Sequence, residues 1–254
     1  MTEQTRYPSL KGRSVLITGG STGIGATLVE QFALQGAKVG FIDIDDDNAH
    51  ALQARMEKAG HRVLFEHGDV TDVGQLRSAI GAIRAKQGPI QILLNNAAND
   101  QRHRVEETTP EFWDAFVAVN LKHQFFAAQE VFADMKRAGG GSIINFGSVS
   151  WMLKQGGMPV YTTCKSAVQG LTRSLARDFG PYRIRVNALV PGWTMTEKQL
   201  RLWVTPESKA ELAKAQCLPG DLLPEHIAQA ALFLASDASA MMTAQNLIVD
   251  GGWT

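Results

Sequence analysis

A phenol and an ammonium stand four residues apart in the stretch VYTTCKSAV, as Tyr161 and Lys165. Residues four apart on a helix share a face, so both side chains would project toward the same ligand. A free phenol has a pKa near ~10 and is a poor base at neutral pH, but a close ammonium favours the charged form and lowers that pKa. The spacing therefore predicts a tyrosine that accepts a proton. Taken alone, the pair is equally typical of an exposed helix surface.

A serine hydroxyl is the third candidate group. Ser148 ends the apolar run IINFGS, thirteen residues before Tyr161, and such a run predicts a buried strand. Open α/β sheets bind ligands at the carboxyl edge of their strands, so this hydroxyl could hold a substrate oxygen beside the phenol. Together the three groups predict a site that removes a proton from an alcohol.

A glycine-rich turn gives a second signal. In LITGGSTGIG a predicted strand runs into Gly19, Gly23 and Gly25 and then into a helix. Glycine tolerates the backbone angles of such a turn, and main-chain amides at a helix N-terminus bind a pyrophosphate. We predict a dinucleotide-binding turn that also includes Ser21 and Ile24. A tight strand-to-helix turn with no ligand would use the same glycines.

Asp43 ends the next predicted strand, GFIDID, 18 residues after Gly25. A carboxylate there accepts hydrogen bonds from the adenosine ribose hydroxyls and repels a 2′-phosphate. NAD is therefore the predicted cofactor, in preference to NADP. Helix capping is the competing explanation, and it accounts better for the aspartates at 45–47, which precede a helix predicted to begin at Asn48.

Short β-branched runs alternate with amphipathic segments along the chain. The runs are SVLITGG, KVGFIDI, RVLFEHGD, QILLNNA, SIINFGS, IRVNALVPG and NLIVDGG, and the helical segments include 24–35, 48–59, 110–137 and 161–179. This pattern predicts an α/β fold with a doubly wound, seven-stranded parallel sheet flanked by helices on both faces. We expect a single domain over residues 1–254, in which the loop-rich interval 191–224 forms a flap over the site.

Composition narrows the class of protein. Of 254 residues, 44% are hydrophobic, and 25 Lys and Arg balance 25 Asp and Glu, so no net field attracts nucleic acid or an anionic membrane. No apolar run approaches the ~18 residues of a membrane span, and residues 1–13 lack the apolar part of a signal peptide. Cys164 and Cys217 are too few for a disulfide framework. We expect a cytoplasmic protein with no nucleic-acid or membrane partner and no metal site.

Ordered motifs over nearly the whole chain resemble the short-chain dehydrogenase/reductase family. They are TGGSTGIG at 18–25, GDV at 68–70, NNAA at 95–98, Asn120, Ser148, YTTCK at 161–165 and PGWTMT at 191–196. The resemblance implies a Rossmann fold, a nicotinamide cofactor and hydride transfer assisted by Tyr161. One departure is Ala98, which stands where the family usually has glycine and suggests slightly different backbone packing after the fourth strand.

The same resemblance implies roles for individual residues. Asp69 and Val70 would lie beside the adenine and Asn96 beside the cofactor, while Thr194 and Thr196 would lie near the nicotinamide carboxamide and the diphosphate. Lys165 would also bind the nicotinamide ribose. Asn120 would help a water molecule link that lysine to solvent, although an asparagine in FVAVNLKHQFF could instead satisfy buried backbone groups.

Longer stretches narrow the resemblance. NLKHQFFAAQ, INFGSVSWMLKQGG, LVPGWTMTEKQ and TAQNLIVDGGW are similar to bacterial aldose 1-dehydrogenases of the D-xylose, L-arabinose, D-galactose or L-fucose type. This implies NAD-dependent oxidation of a sugar at its anomeric carbon to a lactone.

The residues themselves favour a polyol. The loop NNAANDQRHR is strongly polar, and Asn99 is its expected sugar contact. Gln155 and Trp151 are expected to form the opposite wall, with a core position as the alternative for Trp151. Trp193 and Met195 would point toward the sugar or pack beneath the flap.

Two other functions stay open. A ketone reductase acting on a carrier-bound 3-oxoacyl chain would use the same groups with NADP, and a long apolar tunnel with a basic residue after the second strand would favour it. The second possible function is that of a catalytically inactive NAD-binding regulatory protein. The presence of Ser148, Tyr161 and Lys165 disfavours it.

The family expectation for assembly is a homotetramer. Apolar residues on several faces of two helices are consistent with a subunit interface, and packing within one subunit is the alternative explanation of the same pattern. These residues are Phe112, Phe116, Phe125, Phe126, Val131, Phe132, Val168, Leu171 and Leu175.

Overall fold

One seven-stranded sheet organises residues 5–254, the part of the chain that the computed structural model describes. The strands run in the order β3-β2-β1-β4-β5-β6-β7, and every neighbouring pair is parallel. Their bounds are β1 Ser14–Thr18, β2 Lys38–Asp43, β3 Val63–His67, β4 Ile92–Asn95, β5 Gly141–Phe146, β6 Ile184–Pro191 and β7 Asn246–Val249. The predicted doubly wound sheet, with all seven strands in their predicted places, is confirmed.

Helices cover both faces of this sheet. They are α1 Gly23–Leu34, α2 Asp46–Lys58, α3 Val73–Gln87, α4 Pro110–Val117, α5 His123–Arg137, α6 Pro159–Phe179, α7 Glu197–Leu202, α8 Pro206–Ala215 and α9 Pro224–Ala235. Strand β1 separates two apolar layers: Val15 and Ile17 pack with α1, α2 and α9, whereas Leu16 packs with α3, α5 and α6. Because alternate residues of a buried strand point to opposite faces, a nearly continuous apolar run serves both layers.

The predicted helical segments differ from the structure in detail. The segment 110–137 is helical throughout, as predicted, but a π-helical turn at Ala118–Lys122 interrupts its α-helical hydrogen bonding between α4 and α5. Helix α6 begins at Pro159, two residues before Tyr161, since proline is well suited to a first helical position. Helix α2 begins at Asp46, and the Asp45 carboxylate caps it by accepting from the Asn48 amide at 3.1 Å.

The interval 191–224 follows β6 and contains α7 and α8. The Thr194 backbone forms an isolated parallel bridge with Leu222, which ties the two ends of the interval together. Its movement as a flap stays a prediction. Within residues 5–254, no helix has both the length and the apolar character needed to cross a membrane. The expectation for residues 1–13 lies partly outside the described residues.

Most of the apolar side chains that suggested an assembly surface pack within the subunit. Phe116, Val131, Val168 and Leu175 are buried in the core, whereas Phe125 is 42% exposed. The remaining residues of that set are half-buried. Intramolecular packing therefore explains much of the pattern, and the homotetramer stays a prediction.

Candidate active site

A cavity of about 390 Å³ opens at the carboxyl edge of the sheet, next to the point between β1 and β4 where the strand order reverses. Most predicted site residues line it: Gly19, Ile24, Gly25, Asp43, Asp69, Val70, Asn96, Ser148, Gln155, Tyr161, Lys165, Thr194 and Thr196. Trp193 lines it as well. The structure does not bring Ser21, Gly23, Asn99, Asn120, Trp151 or Met195 to the cavity wall. The fold therefore gathers residues from all parts of the chain at one edge.

The glycine turn forms one end of the cavity. Gly19 and Gly23 have φ angles of +68° and +54°, in the left-handed region that favours glycine. A Cβ on Gly25 would lie 1.8 Å from the Gly19 carbonyl oxygen. The Asn96 amide also donates to that oxygen, at 2.8 Å. A side chain at this position would fill the cradle that the glycine turn forms at the N-terminus of α1. Without one, the backbone of the turn stays open, which fits a dinucleotide pyrophosphate.

Asp43 and Ser21 form a fixed unit beside the turn. The Asp43 carboxylate accepts from the Ser21 amide at 2.9 Å, from the Ser21 hydroxyl at 2.7 Å and from the Ile44 amide at 2.8 Å. Ser21 thus contacts the acid and not the cavity. Asp43 still lines the cavity, which keeps its negative charge where an adenosine ribose would lie in this fold.

Other predicted cofactor residues complete this end of the cavity. Val70 and Asp69 line it, and the Asp69 carboxylate accepts from the Thr71 amide at 2.8 Å. Thr196 caps α7, and a Cβ on Gly23 would lie 3.2 Å from its methyl carbon. The segment after β6 therefore lies against the glycine turn. Ala98 is exposed and has no positive φ, so an alanine is accommodated there.

Tyr161 and Lys165 share one face of α6, as the four-residue spacing predicted. Lys165 is 2% exposed, and its ammonium donates to the Phe146 carbonyl at 2.8 Å. The ammonium lies 5.5 Å from the centre of the half-buried Tyr161 ring. Ser148 follows β5 and lies close enough to the phenol to lower the Tyr161 pKa, while its hydroxyl oxygen accepts from the Ser150 amide at 3.2 Å. The three predicted reactive groups therefore converge.

The predicted direction of the Tyr161 pKa shift is wrong for the ligand-free protein. Burial raises the pKa of Tyr161 to about 12, and the Asp100 carboxylate acts in the same direction. Ser148 and Arg102 oppose this rise. Burial also lowers the pKa of Lys165, to about 8. Desolvation outweighs the expected attraction because Lys165 is buried and Tyr161 is half-buried, and the ammonium is directed at a carbonyl.

Asn120 and Asn99 hold each other. The Asn120 amide nitrogen donates to the Phe116 and Asn99 carbonyls at 3.0 and 3.1 Å, and its oxygen accepts from the Asn99 backbone amide at 3.0 Å. Both amide protons of this fully buried side chain are therefore used on backbone, and the π-helical turn positions it. The Asn99 side-chain oxygen accepts from the Gln101 backbone amide at 3.0 Å. The structure thus favours the backbone-satisfying alternative for Asn120 and gives no support to Asn99 as a sugar contact.

A buried histidine supports the end of β4, and the sequence reading missed it. The His123 ring is 0% exposed, and its Nε2 lies 3.5 Å from the Thr18 hydroxyl. That hydroxyl accepts from the Asn96 and Ala97 backbone amides at 3.1 Å each. Burial lowers the pKa of His123 to about 3, and the charge of Lys165 acts in the same direction. The ring is therefore neutral at pH 7.

A polar network at the opposite end of the cavity was also missed. The Asp100 carboxylate accepts from the Lys198 ammonium at 2.6 Å and from the Gln199 amide at 2.5 Å. Gln199 in turn accepts from the Trp193 indole at 2.8 Å. This network joins the loop after β4 to α7. The charges of NNAANDQRHR were the available signal, but the partners are about a hundred residues away in sequence.

The cavity thus has two chemically distinct ends. One end has a backbone cradle, apolar Val70 and the Asp43 carboxylate. At the other end, Ser148 and Tyr161 lie beside charged and amide side chains. Such an arrangement suits a dinucleotide placed next to a small polar substrate, with a proton acceptor between them.

Comparison with known proteins agrees with this geometry. Residues 19–254 match the family model described as Enoyl-(Acyl carrier protein) reductase. The chain is 46% identical to "Probable galactose dehydrogenase GalD" of Rhizobium meliloti (strain 1021), covering 98% of this chain and 97% of the relative. It is 44% identical to the D-xylose 1-dehydrogenase of Caulobacter vibrioides, covering 97% and 98% of the two chains.

A solved structure extends the agreement to the whole fold. The gluconate 5-dehydrogenase of Burkholderia cenocepacia, in complex with NADP and tartrate, superposes with a TM-score of 0.89 at 34% identity and covers 97% of both chains. Relatives over almost the full length, the doubly wound sheet and the convergence of Ser148, Tyr161 and Lys165 lead to one conclusion: the chain belongs to the short-chain dehydrogenase/reductase family.

Proposed function

We propose that this protein oxidises an aldose at its anomeric carbon to the corresponding lactone, with NAD as the hydride acceptor. The observation that carries the proposal is the meeting of Ser148, Tyr161 and Lys165 in a cavity whose other end is the glycine cradle. The names of two relatives, a galactose and a D-xylose dehydrogenase, support a sugar substrate.

The chain's own residues handle the oxygen and the proton. Ser148 holds the anomeric oxygen by a hydrogen bond, and Tyr161 accepts the proton as the O–H bond breaks. The hydrogen on C1 leaves with its electron pair as a hydride, and the C1–O bond becomes the C=O bond of the lactone. A bound oxidised nicotinamide supplies the acceptor for the hydride. Lys165 is positioned by the Phe146 carbonyl to bind the nicotinamide ribose.

The raised pKa of Tyr161 sets a condition on this role. With a pKa of about 12, the phenol is protonated at neutral pH in the ligand-free protein. A phenol can still accept the proton if positive charge enters the site with the ligands, because a nearby cation favours phenolate. Ser148 and Arg102 already act in that direction. The rate of oxidation is therefore expected to rise with pH.

NAD is proposed over NADP on electrostatic grounds. The lining cations Arg102, Lys165 and Lys198 all lie toward the substrate end, and Asp43 is the charged group at the end of β2 on the cavity wall. A 2′-phosphate beside Asp43 would meet like charge without a compensating lining cation. The NADP in the gluconate 5-dehydrogenase structure belongs to that relative, so cofactor choice needs a direct measurement.

The alternative of a 3-oxoacyl reductase fits the cavity less well. Five polar or charged side chains line its substrate end, beside apolar residues such as Met158 and Trp193: Asp100, Arg102, Gln155, Lys198 and Gln199. A long acyl chain would desolvate these groups without pairing them, which is costly. An inactive regulatory protein is disfavoured because the reactive groups are present and converge.

An absorbance assay of NADH formation with pentoses and hexoses, repeated with NADP, tests the proposal. We expect turnover with at least one aldose and NAD. Tyr161→Phe should remove turnover while leaving NADH binding intact. Tyr182→Phe is the matched control, because that exposed tyrosine lies outside the cavity. Rapid reduction of a ketone with no reaction of any aldose would contradict the substrate, and a Tyr161→Phe variant with most of the wild-type rate would contradict the base.

The cytoplasmic location and the homotetramer also stay predictions. Sedimentation of the purified protein measures the second directly.

A further inference from the structure

Arg102 is a charged side chain of the cavity wall whose donors lack oxygen acceptors. It is half-buried in the loop after β4. A guanidinium carries five N–H donors, but its hydrogen-bond partner within residues 5–254 is the thioether sulfur of Met158, at 2.9 Å. Sulfur is a weak acceptor. No carboxylate of the described chain lies within ion-pair distance of this guanidinium.

The other two cations on the wall differ in this respect. Lys165 donates to the Phe146 carbonyl at 2.8 Å, and Lys198 donates to the Asp100 carboxylate at 2.6 Å. Burial lowers the pKa of Arg102, yet a guanidinium does not deprotonate in proteins. A ligand that displaces water from these donors must supply acceptors, because charged donors that lose water without gaining acceptors are costly. A ligand with oxygen atoms would supply what the chain does not.

The guanidinium is also held in place. Its central carbon lies 5.1 Å from the centre of the Trp203 ring, at the end of α7. Stacking on an aromatic ring fixes the plane in which a guanidinium donates. Two parallel N–H groups in a fixed plane match two neighbouring oxygen atoms better than a single acceptor.

An acceptor lies on the same side of the cavity. Asp100 uses one hydrogen bond on each carboxylate oxygen, from Lys198 and Gln199, which leaves lone pairs free. Asp100 and Arg102 both act electrostatically on the Tyr161 phenol, in opposite directions. A sugar hydroxyl both donates and accepts. Hydroxyls on adjacent carbons can therefore satisfy both groups at once.

The reaction indicates which hydroxyls these are. Tyr161 receives the proton from the oxygen on C1, so the other substrate oxygens next to the reacting centre are the ring oxygen and the hydroxyl on C2. Positive charge develops at C1 as the hydride leaves, and the ring oxygen shares it. A guanidinium on the ring oxygen would oppose this charge, which favours the C2 hydroxyl.

We infer that Arg102 is a substrate-binding residue that donates to the C2 hydroxyl of the aldose and to its neighbour on C3, with Asp100 as the opposing acceptor. This rests on the proposed function. It assigns specificity to the loop after β4 and makes the C2 hydroxyl a required feature of the substrate.

Steady-state kinetics of the full-length enzyme with NAD test this assignment. The substrates are the best aldose of the panel and its 2-deoxy analogue. Wild type should favour the parent sugar by at least about tenfold in kcat/KM, since a site built to bond a hydroxyl rejects an analogue that lacks it. Arg102→Lys keeps the charge but not the planar fork, so it should raise the KM of the parent sugar about tenfold or more and bring the ratio toward one. Arg102→Gln should do the same.

Two controls separate this role from a structural one. Arg104→Lys changes an exposed arginine of the same loop that pairs with Glu106 outside the cavity, and it should leave the ratio unchanged. NADH affinity, measured by fluorescence, and melting temperature should match wild type in at least one Arg102 variant. If both Arg102 variants keep the wild-type KM and the wild-type preference, the assignment is wrong although the proposed function stands. If wild type oxidises no aldose, both are overturned.

Discussion

Gly25→Ala tests whether the glycine turn is a cofactor cradle. The added Cβ would lie 1.8 Å from the Gly19 carbonyl oxygen, 2.8 Å from the Gly19 carbonyl carbon and 2.9 Å from the Asn96 amide nitrogen. Two of these atoms are backbone, so no side-chain rotation relieves the overlap. The start of α1 must move away from the end of β1.

The size of that movement sets the expected effect. Non-bonded carbon atoms are in favourable contact at about 3.5 Å and beyond, so the turn must open by more than about 1 Å. A movement of this size takes backbone amides away from a bound pyrophosphate, and each lost hydrogen bond to a charged group costs about 1.5–3 kcal/mol. We therefore expect NADH to bind about 100-fold more weakly, which corresponds to about 2.8 kcal/mol. The melting temperature should fall as well, because Asn96 loses its acceptor geometry.

Gly81→Ala is the matched control. It makes the same chemical change within α3, where a Cβ would meet no heavy atom within 4 Å. Alanine in a helix interior is about 0.5–1 kcal/mol more stable than glycine, so this variant should melt slightly higher and bind NADH as wild type does. Fluorescence titration with NADH and thermal unfolding measure both effects. A Gly25→Ala protein with wild-type NADH affinity and melting temperature would refute the cradle.

Two further changes test the cofactor preference and the buried histidine. Asp43→Asn removes the negative charge that faces the ribose, so the ratio of kcat/KM for NADP over NAD should rise about tenfold or more; an unchanged ratio would mean that another group selects the cofactor. The pKa of His123 is depressed to about 3 in the folded protein from its ordinary 6.5, so the unfolded chain binds the proton first as the pH falls, and stability is lost between about pH 6.5 and 3. Between pH 7 and 5 this loss amounts to about 2 kcal/mol. Urea unfolding at the two pH values should show a smaller loss for His123→Gln, and an equal loss in both proteins would contradict a neutral buried ring.

Local sequence patterns were sufficient to predict the fold, the glycine turn and the pairing of Tyr161 with Lys165. The seven strands follow from short β-branched runs, and the covering helices follow from amphipathic segments between them. Tyr161 and Lys165 share a face because four residues make about one helical turn. The glycine turn is readable because its positions follow a strand and open a helix. Each of these inferences depends on residues close together in sequence.

Burial reversed one of these inferences. The spacing of Tyr161 and Lys165 correctly predicted that they are neighbours, but it predicted a lowered tyrosine pKa. The structure buries Lys165, half-buries Tyr161 and directs the ammonium at the Phe146 carbonyl. The effect of a charge on a neighbouring pKa depends on the surrounding dielectric and on the other groups that bind the charge. The spacing of two residues in sequence specifies neither of these.

The sequence by itself determined the order of strands and helices, the glycine-rich turn and the placing of a phenol, an ammonium and a hydroxyl at one sheet edge, because these depend on periodicity and on the direction of parallel strands. Only the tertiary structure decided which polar groups meet at the substrate end. Asp100 pairs with Lys198 across 98 residues, and Arg102 is left with donors facing the cavity. Such contacts depend on how the loop after β4 packs against α7, and no local pattern specifies that packing.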